Sequence, residues 1–358
     1  MLTYLDSTST WAEQDRRSNQ VAQALLAEGV APTDRVAFLD KNSRAFFEVS
    51  FGAAKINAVP VPVNWRLAPA EMAVIINDSE APILFVDQSF ADHLAAFENE
   101  LTSVRRVVAL GDRPPHPSFE DWLSRHPADD PGVEAGPGDV ALQLYTSGTT
   151  GLPKGVMLTN ANIDANAPAA GREMEIDGDT VNMAAMPLFH IGGSGWALLG
   201  LSHGAHTVIM RDVEPMAFLR AFEEHRISHT FIVPAVIMML LATSQTATTD
   251  FSALRYLTYG ASPISERVLS RAIEAFGCRF VQLYGMTETT GAITLLRPED
   301  HQPGGEHPER LRSCGVPFDG VELRVVDLAT EQDAATGCPG ELWTRSAMNM
   351  KGYWHHPE

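Results

Sequence analysis

At 358 residues the chain is too long for a single small domain and reads as two or three cores. Hydrophobic residues make up 45% and charged residues 20%, an ordinary balance for a water-soluble globular protein, and no apolar run reaches the length of a membrane span. The net charge of −19 argues against general binding to nucleic acid or anionic membranes, so an anionic ligand has to be met locally by lysines, backbone N–H groups and a metal ion.

The N-terminus turns polar at once and has no signal-peptide core, which points to the cytoplasm. From there, short β-branched apolar runs alternate with amphipathic stretches up to about residue 290. The pattern predicts strands over 35–40, 82–87, 105–110, 140–145, 181–186, 206–210, 229–233, 254–259 and 279–284. Helices are predicted over 17–28, 43–56, 69–77, 193–201, 214–225, 234–242 and 265–276, with Gly29 and Gly277 as C-terminal stops. Residues 111–139, rich in Pro, Gly and Asp, read as a surface excursion. After Gly291 the helical signal vanishes and strand-like pieces at 321–327 and 340–345 alternate with turns. The expected fold is α/β: two αβ lobes with mixed, largely parallel sheets covered by helices, plus a small β-barrel-like subdomain. The expected division is 1–155, 156–290 and 291–358. Cys278, Cys314 and Cys338 form neither a disulfide framework nor a metal motif.

The strongest chemical signal runs from Leu144 to Gly155: Tyr145, Thr146, Ser147, Gly148, Thr149, Thr150, Gly151, Leu152, Pro153 and Lys154 lie between them. Glycines let a backbone approach a ligand, hydroxyls add donors and Lys154 adds a point charge, which together suit a polyphosphate. Pro153 and Gly155 stand where a Walker loop requires Gly and Ser or Thr, so it is not that motif. A polar loop that binds nothing is the competing reading. A second signal, Tyr284-Gly285-Met286-Thr287-Glu288, follows a strand and offers an aromatic face, a close-approach glycine, a hydroxyl and a carboxylate. Gly260 and Ala261 end another strand, and Met186 to Gly193 contains Pro187, Phe189 and His190. His203, His206, His225, His229, His355 and His356 have no acidic or thiol company at metal-ligand spacing.

These segments resemble, in order, the motifs of the adenylate-forming superfamily, in particular its AMP-forming acyl-CoA synthetases: Y-T-S-G-T-T-G-x-P-K-G, P-x-F-H, G-A-x-P, Y-G-x-T-E and the G-E-L…G-Y-W region at Gly340–Trp343 and Gly352–Trp354. The resemblance implies ATP-dependent activation of a carboxylic acid to an acyl-adenylate, then transfer to CoA. It implies that Thr146 to Gly151 and Lys154 hold the phosphates. Gly260, Ala261, Tyr284, Gly285 and Met286 would form the adenine site, Thr287 would touch the α-phosphate and Glu288 would hold Mg²⁺. His190, Gly192, Gly193 and Trp196 would line the acid pocket, His190 beside the reacting carboxylate. A fatty acid is the first expectation and an aryl acid the second. The unbroken Lys154 favours CoA over a carrier protein as the acceptor. The chain stops at Glu358, just before that superfamily's T-G-D motif, which gives the expectation of a fragment without the C-terminal lid domain. The ribose-binding Asp and the lid's catalytic Lys then fall outside it, and the alternative reading is a nucleotide- and acyl-binding module without turnover.

Overall fold

The computed structural model describes residues 1–111, 114–147 and 152–356. A four-stranded sheet, ordered Val59–Pro62, Arg35–Leu39, Ile83–Asp87, Arg106–Leu110, is parallel throughout. Its buried strands are continuous apolar runs, as a sheet covered on both faces requires. Val59–Pro62 carries Pro60 and Pro62 and sits at the sheet's edge, where a missing N–H is tolerated; those prolines hid it in the sequence pattern.

The larger sheet has nine strands, ordered Val316–Pro317, Gly291–Leu296, Arg279–Met286, Tyr256–Gly260, His229–Ile232, Val181–Ala184, His206–Ile209, Leu2–Tyr4, Ser7–Ser9. Its centre is parallel; the pairings of Gly291–Leu296 with its neighbours and of the first hairpin are antiparallel. Residues 2–4, 7–9, 291–296 and 316–317 therefore belong to this sheet. Pairing across distant segments, such as Leu2 with Thr207, overrides order along the chain.

The expected small barrel is replaced by two open sheets. One is antiparallel, Gly352–Tyr353, Pro153–Thr159, Val140–Ser147; the other pairs Glu322–Val326 with Glu341–Arg345. Among the described residues these share no pairing, because the last strand joins the 140–159 hairpin instead of closing on its own neighbours.

Helices differ from expectation at informative places. The first starts at Trp11, not at 17: Thr10 accepts from the Glu13 N–H at 3.2 Å while the Glu13 carboxylate accepts from the Thr10 N–H at 2.8 Å. This capping box outweighs the polar first turns that hid the start. Asn160–Glu173 is helical although it contains Pro168 and Gly171 and lacks an apolar stripe. A reciprocal Thr159–Asn162 cap starts it, and Gly171 lets His203 pack where a Cβ would lie 2.3 Å from the ring. Within the 111–139 excursion, the short helix Phe119–Ser124 buries Phe119 and Trp122 against Phe85.

One apolar cluster joins the two large sheets. Phe46, Phe47, Val21 and Leu25 from the helices of the first pack with Ala184, Leu188, Ala197 and Ile209 of the second. Polar ties cross the same boundary: Asn42 bonds Met186, Leu188 and Met210, and Arg211 forks onto Asp40 and Asp87 at 3.1 Å each. Among the described residues no helix is long and apolar enough to cross a membrane.

Candidate active site

The parallel strands of the nine-stranded sheet end on one side at Ala184, Ile232, Gly260 and Met286, the edge where open α/β sheets present their ligand crevices. Gly260 is required by packing, since a Cβ there would stand 2.3 Å from the Leu283 carbonyl oxygen of the neighbouring strand. Ala261 follows with φ 63°, a left-handed conformation uncommon for a residue with a Cβ. Gly285 sits at a register shift in the pairing with Gly291–Leu296, and its Cβ would fall 1.9 Å from the Gly291 carbonyl oxygen. These glycines are demanded by strand contact, whatever ligand lies above them.

Two hollows meet over this edge. A groove of about 530 Å³ is bordered by Ala261, Ser262, Pro263, Gln282, Tyr284, Gly285, Arg312 and Cys314. A narrower cavity of about 110 Å³ is lined mainly by Ile191, Gly192, Gly195, Trp196, Leu199, Phe231, Ala170, Asn166 and Thr290. Ala261, Leu283 and Gly285 border both, so the groove and the cavity adjoin there. Tyr284 borders the groove and is exposed, as is Met286, while Thr287 and Glu288, in a 3₁₀ turn, are half-buried.

The antiparallel strands Val140–Ser147 and Pro153–Thr159 bring Lys154 near the same region, through Tyr353. Thr146 pairs with Lys154 and Ser147 with Pro153; Gly148, Thr149, Thr150 and Gly151 lie outside the described residues. On either side of them, Val140–Ser147 and Pro153–Thr159 are antiparallel strands. Gly155 makes room for Gln143 and Tyr145, whose hydroxyl donates to Asp78 at 2.6 Å.

Tyr353 links the two motifs. Its hydroxyl donates to a Glu288 carboxylate oxygen at 2.9 Å, and the Lys154 ammonium stands 5.1 Å from its ring centroid. Burial and the Glu288 charge push the Tyr353 pKa up to about 12. Backbone bonds fix the arrangement: Met350 N–H donates to the Glu288 carbonyl at 2.8 Å and Trp354 N–H to the Gly155 carbonyl at 2.7 Å. The adjacent Trp354 lies under the Arg35 guanidinium at 3.4 Å. The G-Y-W pattern marked this segment in the sequence, but nothing there pointed to Tyr353 as the contact between Lys154 and Glu288.

Of the residues expected around an acid, Gly192 and Trp196 line the cavity. Gly193 does not; its Cβ would sit 2.1 Å from the Pro187 carbonyl oxygen, so it is a glycine of helix-start packing. His190 caps that helix, directly before the lining residues Ile191 and Gly192. Its ring lies 4.3 Å from Phe189, and desolvation, assisted by Arg66, lowers its pKa. Asn166, Phe231 and Leu199 complete the wall without having been singled out in the sequence; Asn166 comes from the helix that Pro168 concealed.

Among the described residues no three His, Cys, Asp or Glu side chains cluster as a self-sufficient metal site. Glu288 with Thr287 beside it does fit a Mg²⁺ ion, which usually binds through one or two carboxylates together with substrate phosphates.

The chain matches the family model described as AMP-binding enzyme over residues 1–354. A fatty acid–[acyl-carrier-protein] ligase, ScoC, from Streptomyces coeruleorubidus is 35% identical over 356 residues, covering 98% of this chain and 66% of that protein. A feruloyl-CoA synthase from an Amycolatopsis species is 33% identical over 350 residues, covering 98% and 67%. The crystal structure of the N-terminal domain of FACL13 from Mycobacterium tuberculosis superposes with a TM-score of 0.89 at 26% identity, covering 98% of this chain and 86% of that one. The chain thus spans about two thirds of the length of the curated relatives it matches.

Proposed function

The chain belongs to the AMP-binding enzyme family, and from that premise we propose that it activates a carboxylic acid with ATP. A carboxylate oxygen attacks the α-phosphorus, the bond to the bridging oxygen of the β-phosphate breaks, and acyl-adenylate and pyrophosphate form. In the protein of full family length, the CoA thiol then takes the acyl group and AMP leaves. The observation that carries this reading is the meeting of a groove with an apolar cavity at Ala261, Leu283 and Gly285, beside Thr287 and Glu288.

Two anions must approach each other in the first step, so the residues act chiefly by positioning and by neutralising charge. Tyr284 offers its exposed face to adenine, with Gly260, Ala261, Gly285 and Met286 as the floor. The Thr287 hydroxyl donates to an α-phosphate oxygen. Thr146, Ser147 and Lys154, with Gly148 to Gly151, hold the outer phosphates. Glu288, oriented by Tyr353, would hold Mg²⁺, which supplies positive charge against the phosphate oxygens when bound. With its pKa lowered, His190 is neutral at pH 7 and meets the acid as a hydrogen-bonding group.

The acceptor thiol has a second reading. The relative that is 35% identical is by its name a carrier-protein ligase, so a phosphopantetheine thiol competes with CoA. A cytoplasmic setting belongs to the same proposal, supported by three free cysteines.

The test is acid-dependent ATP–pyrophosphate exchange with Mg²⁺. Exchange is expected, and Glu288→Gln should lower it about 100-fold or more, in the range of losing a principal electrostatic group, with the fold intact by circular dichroism. Full exchange in Glu288→Gln would remove the metal role. A chain that binds ATP but supports no exchange with any acid would be a binding module in isolation.

A further inference from the structure

We propose that the acid is compact, a single-ring aryl carboxylic acid bearing a hydroxyl or amino group, and that Asn166 is the residue that selects it. This rests on the adenylation reading and names the substrate class of the same site.

Size is the first argument. The cavity measures about 110 Å³. An apolar cavity of about 150 Å³ takes up benzene, whereas drug-sized ligands occupy roughly 300–1,000 Å³. A void of about 20 Å³ continues past Asn166, far too little for the remainder of a long acyl chain. Rigid packing defines the boundary: the Cβ of any residue replacing Gly192 would lie 3.0 Å from the Phe231 ring.

Shape is the second argument. Trp196 and Phe231 are both buried, their ring centroids 6.0 Å apart and their planes inclined by 37°. Flat aromatic surfaces at such an angle suit the face and edge of one further ring. A flexible chain gains nothing specific from them.

Polarity is the third. Three side chains of the lining carry hydrogen-bonding groups. The Trp196 indole N–H is committed to the Met183 carbonyl at 3.2 Å and the Thr290 hydroxyl to the Met348 carbonyl at 2.6 Å. Asn166 is held only by its Nδ2, at 3.4 Å from the Ala292 carbonyl and 3.7 Å from the Met348 sulfur. Its carbonyl oxygen takes no hydrogen bond from the described residues, so among the side chains of this mainly apolar lining it is the acceptor left free. A ring hydroxyl or amine would satisfy it. A site that bonds such a group discriminates against the analogue lacking it much more strongly than an apolar site discriminates by a methylene.

The test measures binding of 5′-O-(N-acylsulfamoyl)adenosines, stable stand-ins for the acyl-adenylate, by calorimetry on the intact chain. The acyl groups are 3- and 4-hydroxybenzoyl, benzoyl and palmitoyl. A hydroxybenzoyl compound is expected to bind at least about tenfold tighter than both benzoyl and palmitoyl. In Asn166→Ala, and independently in Asn166→Leu, its advantage over benzoyl should fall to near unity. An equal loss for both ligands would mark Asn166 as merely structural and overturn its role. Palmitoyl binding as tightly as hydroxybenzoyl would overturn the compact-acid inference while leaving adenylation standing. If no acyl-sulfamoyl adenosine binds, the adenylation reading falls with it.

Discussion

Replacing Asn42 by Leu should destabilise the protein far more than any loss of volume explains. Asn42 is buried at the seam between the two large sheets. Its Nδ2 donates to the carbonyls of Met186 and Met210, each at 3.0 Å, and its Oδ1 accepts from the Leu188 N–H at 3.0 Å. Leucine approximates its size but strands two carbonyls and one N–H in a buried environment. Each net bond contributes about 1 kcal/mol, and a buried group left unpaired costs about 1–3 kcal/mol, so the three together predict a loss of roughly 3–5 kcal/mol. Asn42→Asp should do as badly, because it keeps the acceptor for Leu188 but turns a carboxylate oxygen toward two carbonyls. Equilibrium urea unfolding followed by tryptophan fluorescence measures the change. Because Met186 and Leu188 lead into His190, any folded fraction should also show a raised KM for the acid. A loss below about 1 kcal/mol in Asn42→Leu would refute the reasoning, since it would mean that the three backbone groups find other partners.

Two further perturbations test the site and the seam. Tyr353→Phe keeps the ring beneath Lys154 and removes the hydrogen bond to Glu288, so pyrophosphate exchange should fall several-fold and need more Mg²⁺, while stability changes by under about 1 kcal/mol at this half-exposed contact. Tyr353→Leu also removes the cation–π contact and should be worse; equal exchange for Tyr353→Phe and wild type across a Mg²⁺ titration would dismiss the positioning role. Asp40 has its pKa raised from 3.8 to about 6, by burial first and by facing Asp87 second, although Arg211 opposes the shift. A folded acid with a raised pKa binds more protons than the unfolded chain between the two values, so its contribution is complete below about pH 4 and is lost as pH rises through about 6. Unfolding free energy should therefore decline less between pH 4 and 6 in Asp40→Asn than in wild type, and identical slopes would show that Asp40 titrates normally.

Most of the parallel strands were legible because they are short, β-branched and buried on both faces, so period and composition agree. The motif residues were legible for a related reason: Thr287-Glu288 and Thr146-Ser147 stand at or just past the end of a strand, in a local pattern that the sequence displays. The helix Asn160–Glu173 was hidden, because Pro168, Gly171 and a run of small residues erase the helical period while a cap and tertiary packing sustain it.

By itself, then, the sequence determined most of the central parallel strands and where the glycine- and hydroxyl-rich turns fall, since these follow from local sterics and the burial pattern. Only the tertiary structure decided which distant segments meet. It added residues 2–4 and 7–9 to the larger sheet and opened the expected barrel. It set Tyr353 between Lys154 and Glu288 and turned Gly193 from a pocket residue into a packing residue. It also placed Asn166 in the wall of the apolar cavity. The physical reason is common to all of them: these contacts join residues far apart in the chain, and their energy depends on shape and hydrogen-bond geometry that no local pattern encodes.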